Sequence, residues 1–266
     1  MLELVTAVRF LHALTSGRTR PALFDCERES GDAVSVVAKF SAGECGLNGI
    51  IREALMSMLA SDLDLPVPEP FLMKSEDGFI DALPADEAVL ARSMRSSVFP
   101  TFACRQFPSG FYLWSADLRL HERHLETAAE IFAFDALTMN PDRKVTNPNC
   151  MFNGTEFAIY DHELALVTAG LGTLLPPPWR PGALDTLCQG KGEHLLFRAL
   201  KRRPVELTRL RKAWEGLSAE RFAEYEGALP QEWAEGRDIM TETLSYLGQL
   251  QRNLNSAFEE VRRVLT

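Results

Sequence analysis

The sequence predicts an α+β protein with a small mixed N-terminal part and a mainly helical C-terminal part. Three observations carry this. Residues 33–41 (AVSVVAKFS) are a β-branched, apolar run of strand type. Leu47, Ile50, Ile51, Leu55 and Leu59 recur directly afterwards at helical spacing, and from residue 117 onward most apolar residues fall at helical intervals.

Taken in order, Leu2, Val5, Phe10, Leu11 and Leu14 predict an amphipathic helix at the start. Glu3 precedes that apolar stretch and Arg9 and His12 interrupt it, which argues against an export signal. The strand over 33–41 and the helix over 47–59 follow. Residues 63–70 (LDLPVPEP) hold three prolines, which end the helix and make an extended connection. A helix is predicted over 117–139 from Leu118, Leu120, Leu125, Ala128, Ile131, Phe132 and Leu137. A short non-helical island, 140–162, separates it from a Gly- and Pro-rich loop, 169–182, and several helices occupy 191–265. In the last of these, Ile239, Leu244, Leu247, Leu250, Leu254, Phe258 and Val261 share a face that reads as core, or else as a surface for a protein partner. The boundary between the two parts is placed at 105/106, giving segments 1–105 and 106–266.

Composition narrows the function. A net charge of −9 opposes a surface built to neutralise nucleic-acid phosphates, though a few placed cations and metal ions can still hold a nucleotide. No apolar run is long enough to cross a bilayer, so a cytoplasmic protein without membrane contact is expected. The five cysteines are widely spaced and form no CxxC pair, which predicts buried, reduced thiols.

The chemistry concentrates in the island. Asp142 and Asn147 stand five positions apart within Asn140-Pro-Asp-Arg-Lys-Val-Thr-Asn-Pro-Asn149. Catalytic loops for phosphoryl transfer use that spacing for a base and a metal-binding amide. Lys144, two positions after the aspartate, offers a cation for the charge on a transferring phosphoryl group, a role that Arg143 shares as an alternative. Asn149 competes with Asn147 for the metal: spacing favours Asn147, while Asn149 directly precedes the next strand. Two strand-like runs, 150–152 and 156–160, flank Asn153-Gly154, a strong hairpin signal. The hairpin returns Asp161 to the loop, where an aspartate would hold Mg²⁺ between nucleotide phosphates, although a DFG tripeptide is absent.

IFAFDALTMNPDRKVTNPNCMF followed by FAIYDHELAL resembles the signature of HipA-like kinases, relatives of the phosphatidylinositol kinases. The resemblance covers about residues 15 to 170. It implies a bilobal protein-kinase-like fold with a mixed N-lobe and a helical C-lobe, ATP and Mg²⁺ as cofactors, and phosphoryl transfer to a hydroxyl acceptor. The acceptor implied first is serine or threonine of a protein. Lys39, in Val36-Val37-Ala38-Lys39-Phe40, is then similar to the strand lysine that contacts ATP phosphates, and Glu53, 14 residues on, is placed to orient it. Ser16, Gly17 and Arg18 would form the phosphate-covering turn, or else a helix-capping glycine and a polar loop. The hinge that meets adenine is expected within 101–107.

Two other readings stay open: a nucleotide-binding pseudokinase or regulatory module, and a kinase for a lipid or small molecule. His121-Glu-Arg-His124 has its histidines three apart rather than the four a zinc protease helix needs, and reads as a solvated helix face. His162 and Glu163 are secondary candidates beside Asp161. The run Pro176–Pro181 reads as a rigid connector.

Overall fold

The computed structural model describes residues 2–14, 20–115, 118–167 and 175–266. The chain divides into two compact units. The first comprises Met1–Met58, Pro68–Pro108 and Ala223–Met240, and the second Leu59–Val67, Ser109–Phe222 and Thr241–Thr266.

The first unit is built on a closed five-stranded barrel of β1 (Glu3–Ala13), β2 (Ala22–Arg28), β3 (Ala33–Ala38), β5 (Thr101–Arg105) and β4 (Pro70–Ser75), in that order around the wall. β1 closes it by pairing in parallel with β4, from Glu3 opposite Phe71 to Ala7 opposite Ser75. Closure leaves no open sheet edge in the barrel. Val5, Phe24, Val36, Phe40, Phe71 and Met73 are buried together, and the Phe24 and Phe40 rings meet edge to face with centroids 6.2 Å apart. The first segment is therefore a strand, not the helix its spacing predicts. Register shifts at Ala7/Arg9 and Phe10/His12 interrupt the two-residue alternation, so its apolar positions mimic a helical period.

α1 (Gly46–Asp62) lies where the leucine and isoleucine spacing predicts a helix. From Ile50 to Ala60 it is buried at every position but Arg52. The 101–107 segment, expected as a hinge, is mostly β5, hydrogen-bonded to β3 on one side and β4 on the other. The returning segment 223–240 is tied to this unit where the Trp233 indole N–H donates to the Pro100 carbonyl at 2.8 Å. α2 (Ala88–Arg95) buries Leu90, Ala91 and Met94.

In the second unit α3 (Leu125–Leu137) is apolar almost all round and buried nearly throughout, as a helix at the centre of a core must be. It begins at Leu125 rather than near 117, because Leu118 is exposed and 122–124 form a single 3₁₀ turn. α4 (Phe197–Leu200) and α8 (Leu254–Leu265) pack against it. Between them in sequence come α5 (Thr208–Gly216), α6 (Ala219–Ala228) and α7 (Arg237–Arg252). A small sheet of β6 (Tyr112–Leu113), β7 (Cys150–Phe152) and β8 (Phe157–Ile159) completes the unit. Leu247, Leu250, Leu254, Phe258 and Val261 are buried, so that part of the C-terminal stripe is core. Trp179 of the proline-rich run packs against Tyr246 with the rings tilted and their centroids 5.6 Å apart.

Candidate active site

The predicted hairpin forms. β7 and β8 pair from Cys150–Ile159 to Phe152–Phe157, and Gly154, at φ +95°, supplies the left-handed turn residue. Asn153 folds the turn onto itself, its side-chain oxygen accepting from the Thr155 and Glu156 N–H groups at 2.9 and 2.8 Å. Asn149 and Asp161, at the two outer ends of the hairpin, both take left-handed backbone angles, φ 43° and 63°. Such strain in non-glycine residues concentrates at functional sites.

The loop between α3 and β7 turns tightly: Lys144 and Asn147 exchange backbone hydrogen bonds of 3.1 and 3.0 Å. This brings three predicted residues around one carboxylate, two of them onto the same oxygen. Asn147 Nδ2 donates to Asp142 Oδ2 at 2.7 Å and Asn149 Nδ2 to the same atom at 3.2 Å. Lys144 Nζ stands 3.9 Å from Asp142 Oδ1. The Asp142 carboxyl is pushed above the usual aspartate range, first by burial and then by the charge of Asp161, against the opposing effect of Lys144 and the two amides.

Arg143 points the other way. It is 1% exposed, and its Nε donates to Asp135 Oδ2 at 2.6 Å. Its other nitrogens reach Asp135 Oδ1 at 3.3 Å, the Asn149 carbonyl, and the Tyr160 carbonyl at 3.2 Å. The nitrogen that reaches Asp135 Oδ1, Nη2, also lies 3.4 Å from His162 Nδ1. One guanidinium thus ties the end of α3 to both outer ends of the hairpin.

Asp135 escapes sequence reasoning, as it sits in an apolar helical run where only a buried charge with partners is tolerated. Asn140 Nδ2 donates to its Oδ1 at 3.0 Å, and His194 Nε2 lies 2.9 Å from its Oδ2. The Leu196 N–H donates to His194 Nδ1 at 3.1 Å, so His194 carries its proton on Nε2 and gives it to Asp135. Burial alone would raise the Asp135 pKa, but Arg143 and His194 outweigh it and hold the carboxyl well below the usual range. Nothing near His194 in sequence announces this partnership, 59 residues away.

In the first unit, Lys39 follows β3 with its backbone still paired: its N–H donates to the Phe102 carbonyl at 3.0 Å, and its carbonyl accepts from Thr101 Oγ1 at 2.5 Å. Its ammonium lies 3.2 Å from Glu53 Oε2 on α1, with side chains 10% and 3% exposed. The structure therefore brings the predicted lysine and glutamate together as a buried pair. Ser16, Gly17 and Arg18 lie outside the described residues.

The expected solvated helix face at 121–124 is a 3₁₀ turn, and His124 is buried, its ring 5.0 Å from that of Phe152. Among the described residues the cysteines form no disulfide; Cys26 and Cys150 are buried as predicted, while Cys45, Cys104 and Cys188 are half-buried. Burial pushes both Cys26 and Cys150 up to about 12. Among the described residues no helix is long and apolar enough to cross a membrane.

Kinase-type phosphotransfer uses a strand lysine paired with a helix glutamate, and an aspartate–asparagine loop followed by a further aspartate; the first unit carries residues of the former kind and the second unit residues of the latter. The family model of HipA-like kinases matches residues 7–170, and the chain belongs to that family. The crystal structure of the Helicobacter pylori proinflammatory kinase CtkA has a similar fold, with a TM-score of 0.50 and 11% sequence identity over 98% of this chain and 99% of that one. No curated protein matches the sequence.

Proposed function

We propose that the chain is an ATP- and Mg²⁺-dependent phosphotransferase of bilobal, protein-kinase-like design that acts in the cytoplasm on serine or threonine hydroxyls of protein. The observation that carries this is the Asp142 carboxylate, held by two asparagine amides and set against the charge of Asp161. Asp142 takes the proton of the acceptor hydroxyl as its oxygen bonds to the γ-phosphorus and the bond from that phosphorus to ADP breaks. Lys144 offsets charge on the transferring group. Arg143 is spent on Asp135 and the backbone, so we assign it to positioning rather than to charge stabilisation.

The donor set fits a hard cation. Asp161 offers carboxylate oxygen, and each asparagine donates to Asp142 through its nitrogen, which leaves the amide oxygen as the atom to meet a cation. Asp161 with Asn147 or Asn149 would hold Mg²⁺, which supplies positive charge to the phosphates and relieves the repulsion between Asp142 and Asp161. Lys39 holds phosphates in the orientation that Glu53 fixes.

The test is Mg²⁺-dependent ATP binding and transfer of labelled phosphate to protein, on the native chain and on Lys39→Met, Asp142→Ala and Asp161→Asn. Asp142→Ala is expected to bind ATP normally with transfer lowered at least about a hundredfold. Asp161→Asn and Lys39→Met are expected to weaken Mg–ATP binding itself. Equal ATP binding by all four chains without transfer would replace this reading with the pseudokinase one, and absence of ATP binding would overturn it.

A further inference from the structure

Between β6 and α3 the second unit carries a surface cavity of about 480 Å³ whose lining includes Arg119, Arg123, Arg203 and His121. In a chain of net charge −9, three guanidinium groups around one depression are a local reversal of sign. Elsewhere this protein's arginines pair with the acids they meet: Arg28 and Arg105 with Glu69, Arg209 with Glu130, Arg221 with Asp62. Here Glu122 lies in the same wall, and among the described residues none of the three arginines forms an ion pair with it or with any other acid.

One of the three is held in place. Arg123 Nε donates to His124 Nε2 at 3.0 Å and a terminal nitrogen donates to the Gly154 carbonyl at 3.3 Å, which anchors the guanidinium on the hairpin turn. An anchored fork loses little side-chain entropy on binding an anion. The positive field is felt by its neighbour, since His124 is held below the usual histidine range first by burial and then by Arg123 and His121. Buried Leu120 supplies an apolar part of the lining.

Unpaired arginines around a pocket favour a phosphomonoester over a carboxylate, because it offers their forks three acceptor oxygens and carries close to two negative charges. The cavity is large enough for a drug-sized group and not only an ion. We propose that it binds a phosphomonoester together with the organic group that carries it, either a phosphorylated side chain of a polypeptide or a small phosphorylated compound. The proposal does not rest on phosphoryl transfer at Asp142, and either reading can fail alone.

The test is calorimetric titration at low ionic strength with O-phospho-L-serine, with a short peptide containing phosphoserine, and with the same peptide unphosphorylated. The chains compared are native, Arg119→Gln, Arg203→Gln, the exposed helix control Arg92→Gln, and Asp161→Asn. We expect saturable binding of the phosphorylated probes alone, weakened about tenfold by either pocket substitution and unchanged in the control and in Asp161→Asn. Tighter binding of the peptide than of phosphoserine assigns a polypeptide source, and equal binding assigns a small compound. Protection of Arg119, Arg123 and Arg203 from phenylglyoxal by phosphoserine, read by mass spectrometry on the native chain, gives the same answer without substitution. Binding indifferent to both arginines, or no saturation and no protection, overturns the proposal.

Discussion

The Asp142 carboxylate is half-buried, and the negative charge of Asp161 bears on it, so ionising it costs more in the folded protein than in the unfolded chain. That raised pKa suits a base, because proton affinity is what the acceptor hydroxyl needs to meet. The sign follows directly. A group whose folded pKa lies above its unfolded value stabilises the fold when protonated, and that contribution is lost as pH rises through the folded value. At neutral pH Asp142 is therefore a liability to stability. Asp142→Asn is expected to raise the melting temperature by roughly 1–3 °C while abolishing transfer, as for other sites where function and stability compete. The transfer rate of the native chain should fall on the acid side with an apparent pKa above the usual aspartate range. A melting temperature that drops on substitution would mean the carboxylate is a net stabiliser.

At the scale of elements, the loop from Asn140 to Asn149 is held from behind. α3 delivers Asp135 as a buried charge, and Arg143 uses it as a base from which to grip the Asn149 and Tyr160 carbonyls at the two outer ends of the β7–β8 hairpin. His194, just ahead of α4, closes the network. The Tyr246 hydroxyl on α7 donates to the Leu137 carbonyl at 2.7 Å and so satisfies an acceptor at the end of α3. Removing one member leaves a buried guanidinium without its counter-charge. Asp135→Ala is expected to cost about 3–5 kcal/mol in urea unfolding and to lose transfer with it. The double change Asp135→Leu with Arg143→Met should recover much of the stability, since an apolar pair needs no desolvated charge, but not the transfer, since nothing then ties the loop to the hairpin. Recovery of transfer in the double variant would show that the network is only structural.

For the whole molecule, the same aspartate predicts behaviour in acid. The Asp135 pKa is depressed on folding, so its contribution to stability is complete above the ordinary aspartate range and is lost as pH falls through the folded value. Equilibrium unfolding followed from pH 7 downward should therefore show stability decreasing once the pH drops below about 4, and the Asp135→Leu, Arg143→Met chain should show a shallower slope there. Slopes that match would assign acid sensitivity to other carboxylates.

Much of the site is written in short stretches of sequence. The loop from Asn140 to Asn149, the Asn-Gly hairpin and the strand that Lys39 follows are local patterns, in which a few neighbouring residues fix the backbone. The first strand is not legible, because its bulges replace alternation by a spacing that suits a helix. Neither is the closure of the barrel by β1 and β4, which joins segments more than sixty residues apart. The bond between His194 and Asp135 and the return of 223–240 to the first unit are also decided only in three dimensions. In each case the reason is the same: burial pairs groups that no neighbour in sequence announces, and a charge such as Asp135 is tolerable only once the whole core has brought its partners to it.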